Sequence, residues 1–274
     1  ALRLPRLPSA PASSGPVAVA VSGGADSAYL LCALWADETL RPRLRVLHFD
    51  HRVRGEASAE DARFVASLCA SLAVPCVVGV REGQGMASEA ELRASRDAFF
   101  AQQRASLGCD LVCTAHHLDD VVENALMRLA RGAGLAGLAA PRVLQSFRDG
   151  HRRWRPLIQA GIDKRALLAG LSSAGIPWRE DATNLLPIAA RNRVRAWLAV
   201  GGVEAMGEGY AEGFARSARI LGEAQVALAQ WAGELGCVVG AEGAMPVAAL
   251  QGRPSALVQE CLRAFLHAHE VTDP

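Results

Sequence analysis

Two stretches of the chain bring together residue types that can do chemistry. In the first, Ser22-Gly23-Gly24-Ala25-Asp26-Ser27 follows the apolar run 17–21 and precedes a second apolar segment. The run before it is Val-rich and of strand length, and the segment after Asp26 is of helix length. The pattern predicts strand, tight turn, helix. Two glycines let a backbone approach an anion closely, and such a turn presents N–H groups at the positive end of a helix, where a phosphate is stabilised. No Gly-Lys-Ser/Thr follows, so this is not the loop that sets a lysine beside the phosphates. In the second stretch, His116-His117-Leu118-Asp119-Asp120-Val121-Val122-Glu123-Asn124 follows another short apolar run. Polar groups at that density after a buried strand are costly unless they serve a ligand or a metal. Asp120 and Glu123 are three apart, so on a helix both carboxylates face one side. A capped helix with an acidic first turn would also suit the helix dipole, but it leaves the paired histidines unexplained.

These residues need elements to position them. Further strands are expected at 43–49, 74–80 and 110–115. Helices are expected at 58–72 (Ser58 as N-cap, Asp61 three residues on), 88–107 (opened by Ser88), 121–130, 163–174, 191–199, 211–232 and 254–269. Residues 141–154 read as loop or hairpin, 175–177 as a turn, 184–190 as a connector, and Cys237-Val238-Val239 as a strand. Strands alternating with helices of this length imply an α/β fold, a Rossmann-like parallel sheet with helices on both faces. Ligands in such sheets bind outside the carboxyl ends of the strands, which gathers 22–27, 48–54 and 115–123 on one edge. Gly201-Gly202 marks the expected boundary: a flexible lead-in over 1–15, a catalytic domain over 16–200, and a small, mostly helical domain over 201–274.

Residues 22–27 resemble the pyrophosphate-binding SGGxDS loop of the N-type ATP pyrophosphatase, or PP-loop, superfamily. Further matches are His48-Phe49-Asp50-His51-Arg52-Val53-Arg54, Thr114 through Glu123, and the spaced Glu89, Arg93 and Arg96. Arg131 through Leu138, Arg155-Pro156-Leu157, Asp181 with Asn184, and Arg191 through Arg195 follow in the same order. Over about residues 16–200 the chain thereby resembles the tRNA(Ile)-lysidine synthetase family. It departs at Asp97, where an aromatic often follows the second Arg, and at Val121-Val122-Glu123-Asn124, where the family usually continues Gln-Ala-Glu-Thr. Neither departure removes a charged position. The part after residue 200 is short beside many members, so a third, tRNA-acceptor-binding domain is not expected.

The resemblance implies a ligase that forms a C–N bond, joining L-lysine to C2 of the wobble cytidine of tRNA(Ile) with a CAU anticodon. Lysidine would form through an adenylated tRNA intermediate, with ATP and Mg2+ as cofactors. It further implies that Ser22, Gly23, Gly24, Ala25, Asp26, Ser27 and His48 hold ATP and its pyrophosphate, with Asp26 helping to place Mg2+. Asp26, His116 and Asp120 would be catalytic, His116 contacting the adenylated intermediate. Arg96, Asp120 and Glu123 would bind lysine, and Arg155, Arg191 and Arg195 the tRNA; Arg191 and Arg195, four apart on a helix, share a face. A homodimer is open.

Composition narrows the alternatives. At 274 residues the chain can bury one large core and a small one. It is 51% hydrophobic, yet charged residues interrupt every apolar run short of membrane-spanning length, and no charged-then-apolar leader is seen. Seven cysteines in no paired pattern fit reduced thiols, and a cytoplasmic location is expected. A net charge of +1 gives no global positive field for nucleic acid, so local Arg clusters must serve. Lys164 is the one lysine, and arginine suits phosphate forks and base stacking. Gly132-Ala133-Gly134-Leu135-Ala136-Gly137 spells GxGxxG but follows a helix, not a strand, so a dinucleotide fingerprint is rejected. Cys109 and Cys113 with His116 and His117 make a poor zinc set, because the two cysteines share one face of a buried strand. The rival readings are a tRNA thiolase of the same superfamily, which usually carries CxxC pairs absent here, and a noncatalytic tRNA-binding protein of the same fold.

Overall fold

A computed structural model describes residues 4–83, 87–180, 190–236 and 247–269. Asp181, Asn184 and Cys237 to Val239, singled out above, lie outside them. The strands are β1 (Val17–Ala20), β2 (Leu44–Asp50), β3 (Cys76–Val80), β4 (Leu111–Cys113), β5 (Leu144–Ser146) and β6 (Arg152–Trp154). The helices are α1 (Ala25–Trp35), α2 (Glu56–Ser71), α3 (Glu89–Leu107), α4 (Leu118–Leu129), α5 (Leu135–Leu138), α6 (Pro156–Gln159), α7 (Lys164–Ala174), α8 (Ala190–Met206), α9 (Tyr210–Glu234) and α10 (Ser255–Ala268). One six-stranded sheet runs β3-β2-β1-β4-β6-β5, parallel throughout except for the β5–β6 hairpin. From β1 the chain steps outward to β2 and β3, then returns across to β4. The strand order therefore reverses between β1 and β4, where an open parallel sheet leaves a crevice at its carboxyl edge.

β1 reads as an unbroken apolar run because both of its faces are covered. Val17 and Val19 pack with α1, α2 and α7 through Leu30, Leu34, Val65, Leu68, Leu167 and Leu171. Ala18 faces the other side, with Leu47 and Val112 against Phe99 and Phe100 of α3. That approach is close: a Cβ on Gly79 of β3 would fall 2.5 Å from the Phe99 ring. α3 opens on a capping box, Ser88 accepting from Glu91 N and Glu91 accepting from Ser88 N, and closes on left-handed Gly108. α7 is capped by Asp163, which accepts from Ala166 N at 2.7 Å.

Three expectations shift. α2 starts at Glu56 behind Gly55 (φ 53°), not at Ser58. Ser58 lies one turn inside, accepting from Arg54 N at 3.2 Å, while Asp61 pairs with Arg54 instead of completing a capping box. Gly201-Gly202 lies within α8 rather than at a boundary; a Cβ on Gly202 would stand 3.2 Å from the Tyr210 hydroxyl, so the missing side chain serves close packing. The chain divides into two compact units, residues 1–127 with 141–215 and residues 128–140 with 216–274. In the second unit Leu257, Cys261 and Ala232 form a small core, and Gln225 donates to buried Glu260 at 3.1 Å. Among the described residues no helix is long and apolar enough to cross a membrane.

Candidate active site

The turn after β1 is shaped around one hydroxyl. Ser27 Oγ, on the buried face of α1, accepts from Ser22 N at 3.1 Å and Gly23 N at 3.2 Å and donates to Gly24 O at 3.0 Å. Gly23 adopts φ +96°, open to glycine at no steric cost, and its Cβ would approach Val65 Cγ2 to 3.3 Å. Gly24 stands at the N-cap of α1 and provides no side-chain cap, so the first turn of that helix keeps N–H groups for an anion. The loop is braced from outside: Arg179 N donates to Gly23 O at 3.0 Å, and its side chain ties to Asp61 at 3.0 Å and Glu60 at 2.6 Å.

His48, near the end of β2, is buried, and its Nδ1 donates to Val21 O at 2.8 Å. A carbonyl can only accept, so Nδ1 carries a proton, while Nε2 is buried without a partner beside the loop. A buried polar atom without a partner is costly unless a ligand completes it.

Beyond β4 the paired histidines take opposite electrostatic roles. Burial pushes His116 down to about 4, with Arg155, Arg191 and Arg153 adding to the shift against Asp120, so it is a neutral imidazole at pH 7. Its Nδ1 lies 3.0 Å from Thr114 Oγ1. For His117 burial works against the cation, but a hydrogen bond to Asp119 and the charges of Asp120 and Asp26 outweigh it, so its pKa is raised. His117 Nδ1 is 3.1 Å from Asp119 Oδ2, and Nε2 is 3.8 Å from Asp26 and 3.7 Å from Asp120. Burial also opposes the Asp120 charge, yet His117 and His116 hold its pKa below the ordinary value. Lys164, first residue of α7, donates its backbone N–H to Asp119 at 2.8 Å and ion-pairs through Nζ with Asp26.

The structure thus brings together Asp26, His116 and Asp120 as expected, and adds His117, Asp119 and Lys164. His117 and Asp119 lay within the motif; Lys164 carried no signal beyond being the only lysine. Asp26, with its partly exposed carboxylate beside an open helix N-terminus, fits an Mg2+ that takes one or two carboxylates and completes its shell with phosphate oxygens.

Other expected residues are placed differently. Glu123 is 1% exposed; Arg195 grips it with Nε–Oε1 at 2.7 Å and Nη2–Oε2 at 3.1 Å, and Arg191 Nε stands 3.1 Å from Oε2 without hydrogen-bond geometry. Arg191 and Arg195 do share a face, and that face is turned to an internal carboxylate. Arg96 lies on α3 against its neighbour Asp97, at 3.0 and 3.2 Å. Arg155 is 5% exposed, enclosed at the end of β6.

The family model of the PP-loop domain matches residues 6–200. A tRNA(Ile)-lysidine synthase of Solibacter usitatus is 40% identical over 225 residues, covering 82% of this chain and 48% of that protein. One from Geobacter sulfurreducens is 37% identical over 220 residues, covering 78% and 45%. The chain spans about half the length of the curated relatives it matches. Among solved structures, a U34-tRNA thiolase from Methanococcus maripaludis shares the fold, with a TM-score of 0.62 at 17% identity over 77% of this chain and 73% of that one. With the loop, the reversal of strand order beside it and a family match across most of the chain, the chain belongs to the PP-loop family.

Proposed function

We propose that the chain catalyses ATP-dependent ligation of L-lysine to C2 of the wobble cytidine in tRNA(Ile) with a CAU anticodon. The observation that carries this reading is one cluster at the carboxyl edge of the sheet: an open helix N-terminus, Asp26, Lys164, a neutral His116, and a His117 whose pKa is raised by the surrounding Asp119, Asp120 and Asp26. Cytidine O2 is a poor leaving group until activated. In the first step O2 attacks the α-phosphorus of ATP, the new O–P bond forms, and the bond to the β-phosphate breaks. The loop N–H groups around Ser22 to Ser27 receive the departing pyrophosphate, and the Lys164 ammonium faces its charge. Mg2+ held by Asp26 would neutralise phosphate charge. In the second step the lysine side-chain amine attacks C2, the C–N bond forms, and AMP leaves with O2. Asp120 attracts the ammonium, and the proton the amine must lose passes to water; His116, held down to about 4 by burial, stays neutral beside the reacting groups and adds no like charge to the incoming cation. Glu123 is neutralised by two arginines, so in this reading its charge orders α8 against α4 rather than holding lysine.

The test is mass spectrometry of a CAU-anticodon tRNA after incubation with ATP and lysine. A lysine-dependent mass gain with stoichiometric pyrophosphate release, both abolished in Asp26→Ala, is expected. Pyrophosphate release by Asp26→Ala equal to that of the parent would overturn the loop assignment. A gain of sulfur in place of lysine would favour a thiolase.

A further inference from the structure

Two arginines at the end of β6 are enclosed without an acid. Arg155 is 5% exposed, and its guanidinium donates only to neutral acceptors, Arg142 O at 2.5 Å and Gln145 Oε1 at 3.3 Å; its Nε has no partner. The Arg153 guanidinium lies over the Phe147 ring, 5.0 Å from its centroid, and its Nε too is buried and unpartnered. Among the described residues neither forms an ion pair. Burial, with Arg153 close by, pushes Arg155 down to about 10, and Asp120 is the acid that draws it back. Arg153 is likewise lowered by burial, with Asp97 opposing and Arg96 and Arg93 adding to the repulsion. A buried cation without a counter-ion costs several kcal/mol, and an arriving anion removes that cost.

The topology says where the anion would sit. β6 runs parallel to β4 with Trp154 opposite Cys113, and Thr114 N donates to Trp154 O at 3.0 Å. Arg155 therefore leaves the sheet level with Thr114, alongside the exit that carries His116 and Asp120. The phosphate loop follows β1, two strands away. We propose that Arg155 and Arg153 form a subsite for one oxyanion, a carboxylate or a phosphodiester belonging to the substrate that follows ATP. The assignment rests on the ligase reading for the identity of that substrate, but not for the existence of the subsite. With lysine, the carboxylate would meet Arg155 while an ammonium meets Asp120; with tRNA, a phosphate flanking the reacting cytidine would.

Arg155→Met keeps most of the side-chain length and removes the charge. If the arginine is held for a ligand, this variant keeps or raises the ligand-free Tm, because an unpaired buried charge is gone. It also binds one of two probes, L-lysine or the CAU-anticodon tRNA, at least roughly tenfold more weakly, as loss of a charged contact does. Arg153→Gln, at the less enclosed position, follows in the same direction with a smaller loss. Weakened lysine with unchanged tRNA assigns a carboxylate; weakened tRNA with unchanged lysine assigns a phosphodiester. A lowered Tm with both affinities intact would show Arg155 to be a structural donor to Arg142 and Gln145, and overturns the subsite. If the parent chain binds neither probe, the ligase reading fails and acetate becomes the probe. An acetate-dependent rise in Tm that Arg155→Met abolishes supports the subsite, and no such rise, or an equal one in the variant, overturns it.

Discussion

Glu123 shows how one side chain can carry a motif's signature and serve the interior. Its carboxylate is enclosed and shared by Arg195 and Arg191. Glu123→Gln keeps the shape and removes the charge, leaving two guanidinium groups facing an amide. Breaking a buried pair this way costs about 3 kcal/mol, the low end of the usual range because both arginine side chains are two-fifths exposed. Urea unfolding should show that loss while lysine binding changes by less than about twofold. Asp120→Asn should instead weaken lysine roughly tenfold, as expected for a lost charged hydrogen bond. Unaltered stability in Glu123→Gln, with weakened lysine, would return Glu123 to the substrate. Asp26, His116 and Asp120 were legible because each lies within a contiguous motif. Lys164 was not: its partners Asp26 and Asp119 lie 138 and 45 positions away, and only the folded sheet makes them neighbours.

At the scale of elements, α3 is seated on β3 through a residue with no side chain. Gly79→Ala would force a methyl into the Phe99 ring, and overpacking of this kind costs ~1–3 kcal/mol. Thermal unfolding should report it, and Phe99→Leu in the same chain should relieve part of it, a non-additivity expected of touching residues. Additive losses would mean that α3 shifts to make room. β1 to β4, and the helices that carry their own caps, were readable from the sequence pattern; Ser88 and Asp163 stand where N-caps belong. The α2 start was not, because Ser58 resembles a cap while left-handed Gly55 is what turns the chain. β5 and β6 hold three residues each, too few for alternation to show, and they exist by pairing with each other and with β4.

For the molecule as a whole, a boundary was sought at one point, Gly201-Gly202, whereas the chain passes between its compact units three times. Residues 128–140 join 216–274 through contacts such as Ala139 beside Gly222, and no composition shift announces an association over that separation. Positive charge, by contrast, was fully countable from the sequence, and it has a practical result. With Lys164 as the sole lysine, an amine-reactive ester can modify only that side chain and the chain's amino terminus. The Lys164 side chain is 42% exposed and paired with Asp26 at the phosphate loop, so the candidate site contains its own footprinting handle. Peptide mass spectrometry after brief acylation should find Lys164 modified in the free protein. ATP at ten times its dissociation constant should slow that modification about tenfold, following the fraction of chain left unliganded, while the amino terminus reacts as before. Equal labelling of Lys164 with and without saturating ATP would place the lysine outside the nucleotide's reach.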